Sequence, residues 1–478
     1  MPRRKTSARG IVLLGFAFAA ALVACAGPSP STPGTNNAVA RPAVAPGQTP
    51  HAWGRVSAGI GGAKIQHVVF VIQENRSFDN IFGGLDDDGN PFPGADSVSK
   101  EFPGEPTPVN HLGYPVQMYS GALKDCYSAA HDRPQAVAEI DGGKMDGFDL
   151  EDVGELKCAT ASPQPDYVYQ TVRYADVAPY WEMGERFAIS DRMFESILSS
   201  SFGAHLYLAA AQSGHIFDYP SQSPWGCDSP STSTTAIIDE ATGAVGRGPY
   251  PCLYFTSLPD QLDAQHVTWN YYAAQVGDYG YLWSVLDAFA RIREGPEWSS
   301  NVIGPPAQFL TDVANGKLAA MTWVTPTNKT SDHPESSSNL GPAWVASVVD
   351  AVGESKFWNS TAILIVWDDW GGWYDHVPPP VINQEGFGLR VPFIVVSPYA
   401  RQAYVSHTVH SFGSMIHFAE EMLGVASLGQ EDAFDDDLGD MFDFSQTPAP
   451  FNPFASRSTR ARAKGAAAEA HGPPPDTD

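Results

Sequence analysis

The chain has 478 residues, 43% of them hydrophobic and 12% aromatic, enough for a large core. Only 17% are charged, and 54 acids against 28 bases leave a net charge of −26. That balance argues against nucleic acid as a partner, because phosphate backbones are held by Lys and Arg.

The N-terminus reads as an address. Arg3, Arg4, Lys5 and Arg9 precede an apolar run, Ile11–Ala24, too short to span a bilayer comfortably but suited to a signal-peptide core. The run closes on Leu22–Cys25, “LVAC”, followed by a Pro/Ser/Gly-rich stretch, and this resembles a bacterial lipoprotein cleavage box. Residues 1–25 are therefore expected to be a signal peptide, with Cys25 lipidated as the first residue of the mature chain. An ordinary secretory signal with an incidental cysteine is the alternative. Either way the chain is expected to be exported: as a cell-envelope lipoprotein on the periplasmic or surface face, or as a secreted protein. Residues 26–60 read as a flexible tether, 61–454 as one globular domain, and 455–478 as a disordered tail with little to bury. In an oxidising compartment Cys126, Cys158, Cys227 and Cys252 are expected to pair, and sequence proximity favours Cys126–Cys158 and Cys227–Cys252. A thiolate metal site is the weaker option, since no C-x-x-C spacing occurs.

Within the globular region, apolar runs end in polar clusters: His67–Asn75, Ala319–Thr327, Ala362–Asp369 and Val391–Pro398. Continuous β-branched runs suit strands buried on both faces of a sheet. Helix-like patterns lie between them, in “PAQFLTDVANGKLA”, “AWVASVVDAVGES” and “GSMIHFAEEMLG”. The alternation predicts an α/β fold with a large, mostly parallel sheet flanked by helices, in which ligands sit beyond the carboxyl ends of the strands. Residues from about 110 to 280 hold the four cysteines and little periodicity, and read as loop-rich insertions.

The polar clusters carry the candidate chemistry. In “VWDDWGGWYDHVPPP” (Val366–Pro380), Asp368 and Asp369 repel one another, so they need a cation or a shared proton. A divalent ion resolves the conflict, because carboxylates suit hard cations; a turn with Asp as helix cap is the alternative. Gly371 and Gly372 let the backbone turn away, and His376 is placed to reach back. Glu74 and Asn75 close the first strand and supply a carboxylate and an amide to the same oxygen-rich shell, or else form an Asx-type turn. Ser199, Ser200 and Ser201 precede a helix expected over His205–Ala211. A serine there has orphan N–H donors and a positive dipole end beside it, which stabilise an alkoxide and bind phosphate. Serine is equally a favoured N-cap, and spacing does not choose among the three. His131, near a Gly-rich turn, and His333, in a polar loop after a strand, complete the candidates. The acidic run Glu431–Asp440 reads as an exposed loop, with a Ca²⁺ loop as the alternative.

Five motifs occur in order: “HVVFVIQENRSFDNIFG”, “GGKMDGF”, “FESILSSSFGAHLYLAA”, “WDDWGGWYDHVPPP” and “RVPFIVVSPYARQAYVSHTV”. Together they resemble the bacterial phosphoesterase family of phospholipases C and a respiratory-burst-inhibiting acid phosphatase, within the alkaline phosphatase-like superfamily. The resemblance implies an α/β sandwich and attack by a serine on phosphorus through a phospho-enzyme. It implies one divalent metal, with Ca²⁺, Mg²⁺ or Mn²⁺ all suited to an oxygen shell, held by Glu74, Asn75, Ser201, Asp368 and Asp369. Ser201 is the implied nucleophile. His131, His333 and His376 are the implied active-site histidines, and Asn75 with His131 and His333 would hold the substrate. The family's Pro-Asn-Arg after the nucleophile is replaced here by Gly203-Ala204-His205. The expected activity is that of an acid phosphatase-like phosphomonoesterase or small-headgroup phosphodiesterase. The alternatives are a phospholipase C acting on phospholipid headgroups and a catalytically inactive lipoprotein of the same fold.

Overall fold

A computed structural model describes residues 64–98, 108–124, 126–278, 280–336, 338–455 and 457–468. The expected signal peptide, Cys25, the tether and residues 469–478 lie outside them. Eight strands form the central sheet: β1 (His67–Gln73), β2 (Ala188–Ser190), β3 (Trp269–Tyr272), β4 (Val302–Ile303), β5 (Met321–Val324), β6 (Thr361–Trp367), β7 (Phe393–Val396) and β8 (Tyr404–Ser406). Their spatial order is β4-β3-β5-β1-β6-β7-β2-β8. All neighbours pair parallel except at β7, which runs antiparallel to both β6 and β2.

The middle of the sheet is where the expected apolar runs fall. Val68–Ile72 and all of β6 are buried, as a strand covered on both faces requires. The strand-like run Val391–Pro398 shortens to β7, which runs antiparallel to its neighbours. The loop-rich segment is more than decoration. It contributes β2 and β3 to the central sheet, and its helices include Tyr174–Arg186 and Ser201–Ala210. Strands of three and four residues are too short to display a period, so composition hid them. Both expected disulfides form, Cys126–Cys158 and Cys227–Cys252.

Two expectations fail for the same reason: local composition does not register what a segment packs against. Residues 457–468 of the expected disordered tail form a helix whose Ala463 and Ala467 are fully buried. It packs on the helix Gly341–Gly353, and Asp350 of that helix accepts the backbone N–H groups of Phe454 and Ala455 (2.8 and 3.0 Å). Alanine offers little transfer energy but a close-fitting face, so a sparse sequence still docks. In the acidic run Glu431–Asp440, Asp432, Asp436 and Asp437 are buried. Asp436 meets His410 at 2.5 Å, and Asp435 accepts from Ser411, the N-cap of the helix Phe412–Leu423. No described helix is long and apolar enough to cross a membrane.

Candidate active site

Sheet register brings the two acidic strand ends together. Gln73, the last residue of β1, pairs with Trp367, the last residue of β6, so Glu74 and Asp368 leave the same rung. Asp368 N donates to Gln73 O (3.0 Å), Asn75 N to Asp368 Oδ1 (2.9 Å) and Arg76 N to Asp369 O (2.9 Å). Asn75 takes a left-handed φ of 56°. Such a backbone costs free energy for a non-glycine residue and persists only where surrounding contacts impose it. The Gly371-Gly372 turn allows those contacts. A Cβ on Gly371 would lie 2.3 Å from Asn75 O, and one on Gly372 2.6 Å from Ala130 O, next to His131.

The serine run resolves by geometry. Ser199 Oγ is spent on Ser200 O (2.7 Å), and Ser200 is the N-cap of the helix Ser201–Ala210. Ser201 is the first helical residue, and its Oγ donates to Asp369 Oδ2 at 2.7 Å. Asn75 Nδ2 reaches Ser201 Oγ (3.5 Å), Asp369 Oδ2 (3.3 Å) and His131 Nε2 (2.9 Å). Glu74, Asn75, Ser201, Asp368 and Asp369 are all buried.

His131 and His333 join this group, with ring centroids 5.9 Å apart. His131 Nδ1 lies 3.0 Å from Ala129 O, which only accepts, so Nδ1 carries a hydrogen and Nε2 faces the site. His333 Nδ1 accepts from Glu335 N (3.2 Å), which leaves its hydrogen on Nε2. Burial, with His131 beside it, pushes His333 down to about 3, so its ring is a neutral donor at ordinary pH. Its loop is pinned to β1 through Gln73, whose Nε2 donates to Thr330 O (2.9 Å) and whose Oε1 accepts from Asp332 N (3.0 Å).

His376 is placed elsewhere. Its Nδ1 meets Asp79 Oδ2 at 2.5 Å and its Nε2 meets Asp96 Oδ1 at 3.0 Å, so neither nitrogen is directed at the serine. Burial lowers its pKa, but Asp79 and Asp96 outweigh that and hold it at about 10. Asp79, Asp375 and Arg390 complete a buried ionic network there. The expectation placed His376 by its spacing from Asp369; the glycine turn carries it away.

The main site is short of counter-charge. Glu74 Oε2, Asn75 Oδ1 and Asp368 Oδ2 are buried without a hydrogen-bond partner. Burial and the Asp368 carboxylate push Glu74 well above the usual range, and the same two causes push Asp369 up. Asp368 is held below its usual value: burial opposes this, but the His205 imidazole beside it prevails. His205 is a member of the cluster that its sequence reading missed. Its Nε2 lies 3.2 Å from Glu74 Oε1 and 3.4 Å from Asp368 Oδ2. The available signal was its position four residues after Ser201, on the same helix face. Tyr219 was also missed: its hydroxyl lies 2.9 Å from His131 Nε2, and a loop position gives no sequence signal. Glu74, His205 and Asp368 form a group able to hold a metal ion, and orphaned carboxylate oxygens fit a hard cation.

A serine hydroxyl donates to a carboxylate at a helix N-terminus, and unsatisfied acid oxygens lie beside it beyond the carboxyl ends of two central strands, an arrangement chemically suited to a nucleophile next to a hard cation. Residues 65–426 match the model of the Phosphoesterase family, and the chain belongs to that family, hydrolases acting on phosphoric ester bonds. A non-hemolytic phospholipase C of Pseudomonas aeruginosa is 24% identical over 408 residues, covering 76% of this chain and 54% of its own. Phospholipase C B of Mycobacterium tuberculosis is 25% identical over 445 residues, covering 81% of this chain and 80% of its own. The chain thus spans about half the length of the first relative and four fifths of the second. The crystal structure of a protein in the alkaline phosphatase superfamily from Vibrio parahaemolyticus aligns over 84% of this chain and 85% of that one, with a TM-score of 0.35 and 9% identity.

Proposed function

We propose that the chain is an exported, metal-dependent phosphoesterase that hydrolyses phosphate esters through a phosphoserine intermediate. The observation that carries this reading is Ser201 Oγ, 2.7 Å from Asp369 Oδ2, beside oxygens of Glu74, Asn75 and Asp368 that no hydrogen bond satisfies. Glu74, Asn75, Ser201, Asp368 and Asp369 would hold one divalent ion, Ca²⁺, Mg²⁺ or Mn²⁺, with His205 against Glu74 and Asp368. Bound there, such an ion would neutralise phosphoryl charge and favour the serine alkoxide.

Ser201 gives its proton to Asp369 as Oγ forms a bond to phosphorus and the bond to the leaving oxygen breaks. Asn75 Nδ2 and the first N–H groups of the Ser201–Ala210 helix stabilise the phosphoryl oxygens. His333 contributes Nε2–H as a neutral donor, and the departing oxygen takes its proton from solvent water. A water molecule then attacks phosphorus and gives a proton to His131 Nε2, which passes it on to solvent, and Ser201 leaves with the proton Asp369 holds. Positioning and electrostatics supply most of the acceleration.

Phospholipase C action on phospholipid headgroups is the second reading, favoured by the relatives' names. The protein lacking residues 1–25 is offered p-nitrophenyl phosphate and p-nitrophenylphosphorylcholine, with and without added divalent ions. Turnover of the first supports a phosphomonoesterase, and turnover of the second alone supports a phospholipase C. Turnover of neither overturns both in favour of an inactive lipoprotein of the same fold. Export and tethering through Cys25 rest on the N-terminal pattern. Cys25→Ser is expected to release the protein from the membrane fraction, and unchanged fractionation would overturn the tether.

A further inference from the structure

Tyr219 belongs to no sequence motif that points to chemistry, yet it stands at the centre of the site. His131 Nδ1 is committed to Ala129 O at 3.0 Å, so the neutral ring offers one lone pair, on Nε2. Two donors face that lone pair at the same distance: Asn75 Nδ2 and the Tyr219 hydroxyl, each at 2.9 Å. One lone pair accepts well from one of them. Asn75 has a second outlet, with Ser201 Oγ and Asp369 Oδ2 within its reach. Tyr219 has a single hydrogen, and it faces the same Nε2 as Asn75 Nδ2, which itself reaches Ser201 Oγ at 3.5 Å. Its hydroxyl therefore borders the space between the serine and the histidine, where a phosphoryl group must sit.

Packing fixes the ring there. Tyr219 stacks on Trp225 (centroids 4.9 Å apart, 27° between planes), and Trp225 meets Phe202, the residue after Ser201, at 5.7 Å. The next element along is Cys227, joined to Cys252. The loop-rich segment thus delivers a donor to the reaction centre along with its covering of the sheet.

We propose that Tyr219 is a catalytic residue whose hydroxyl donates to a non-bridging oxygen of the phosphoryl group during its transfer to Ser201. The proposal rests on the phosphoesterase reading and adds a donor to it. Tyr219→Phe tests it, because the variant keeps the stack on Trp225 and loses only the hydroxyl. Turnover is measured on whichever p-nitrophenyl ester the parent hydrolyses, and orthovanadate binding by titration calorimetry. The expected result is a fall in kcat/KM of about a hundredfold, as for loss of one preorganised donor. Vanadate affinity should weaken about tenfold or more, with the thermal midpoint unchanged. A parent that neither turns over an ester nor binds vanadate would remove the phosphoesterase reading and this proposal with it. An active parent matched by its variant within about twofold in both readouts would remove this proposal alone. A fall in kcat with undiminished vanadate affinity would also overturn the phosphoryl contact, leaving Tyr219 as a positioning residue for His131.

Discussion

Two buried clusters of acids and histidines follow the same pair of strands, and they are built on opposite terms. In the cluster of Asp79, Asp375, His376 and Arg390, each carboxylate oxygen has a partner. Asp79 takes Val98 N (2.8 Å), Arg390 and His376, while Asp375 takes Arg390 Nε (2.8 Å), Val377 N (3.0 Å) and Asp79 N (3.2 Å). In the cluster of Glu74, Asp368 and Asp369, oxygens are left over, with His205 Nε2 set against Glu74 and Asp368. A network that satisfies itself serves the fold; one that does not keeps its binding capacity for something else.

Breaking the second cluster should cost activity and not stability. Ser201→Ala is expected to lower kcat by roughly a thousandfold or more, the scale of losing a nucleophile, with an unchanged thermal midpoint. Ser200→Ala should stay near the parent, since the Ser200 hydroxyl makes no hydrogen bond. If Ser201→Ala keeps full activity while Ser200→Ala loses it, the nucleophile is Ser200.

The first cluster should behave in the reverse way. His376→Gln strands two carboxylates and is expected to cost about 3 kcal/mol in denaturant unfolding, with kcat little changed. The pH dependence has a definite sign. His376 is raised from 6.5 to about 10 in the fold, so its contribution is fully present below pH 6.5 and is lost as pH rises towards 10. The stability gap between parent and variant should therefore be wide at pH 6 and narrow at pH 10. An equal gap at both would mean that His376 contributes by packing instead of charge.

The smallest effect is the sharpest test of the contrast. Glu74 has a raised pKa, so without metal the folded state binds more protons than the unfolded one, and stability falls as pH rises. In chelator, Glu74→Gln should equal or exceed the parent in thermal midpoint at pH 7, with the advantage growing at higher pH. Added divalent ion should raise the parent's midpoint and leave the variant's nearly unmoved. A variant less stable than the parent in chelator would place Glu74 among the self-satisfied acids.

The central sheet was legible because β1 and β6 are long enough to show continuous apolar runs, and Glu74 meeting Asp368 followed from both closing a strand. Spacing alone did not choose among three serines that share one local signal; the family resemblance singled out Ser201, whose hydroxyl is the one that donates to Asp369. His376 was misplaced because spacing along the chain says nothing about the direction a Gly-Gly turn takes. His205 and Tyr219 escaped because each gains its meaning from residues far away in sequence: Glu74 and Asp368 for one, His131 for the other.

Gln73 makes the site an indicator of its own assembly. Its backbone completes the last rung between β1 and β6, while its side-chain amide grips the loop that carries His333 with one donor and one acceptor. The acids and the neutral histidine are therefore latched by a single residue. A chain whose central strands have not yet aligned holds neither half in place, and a chain in which they have holds both.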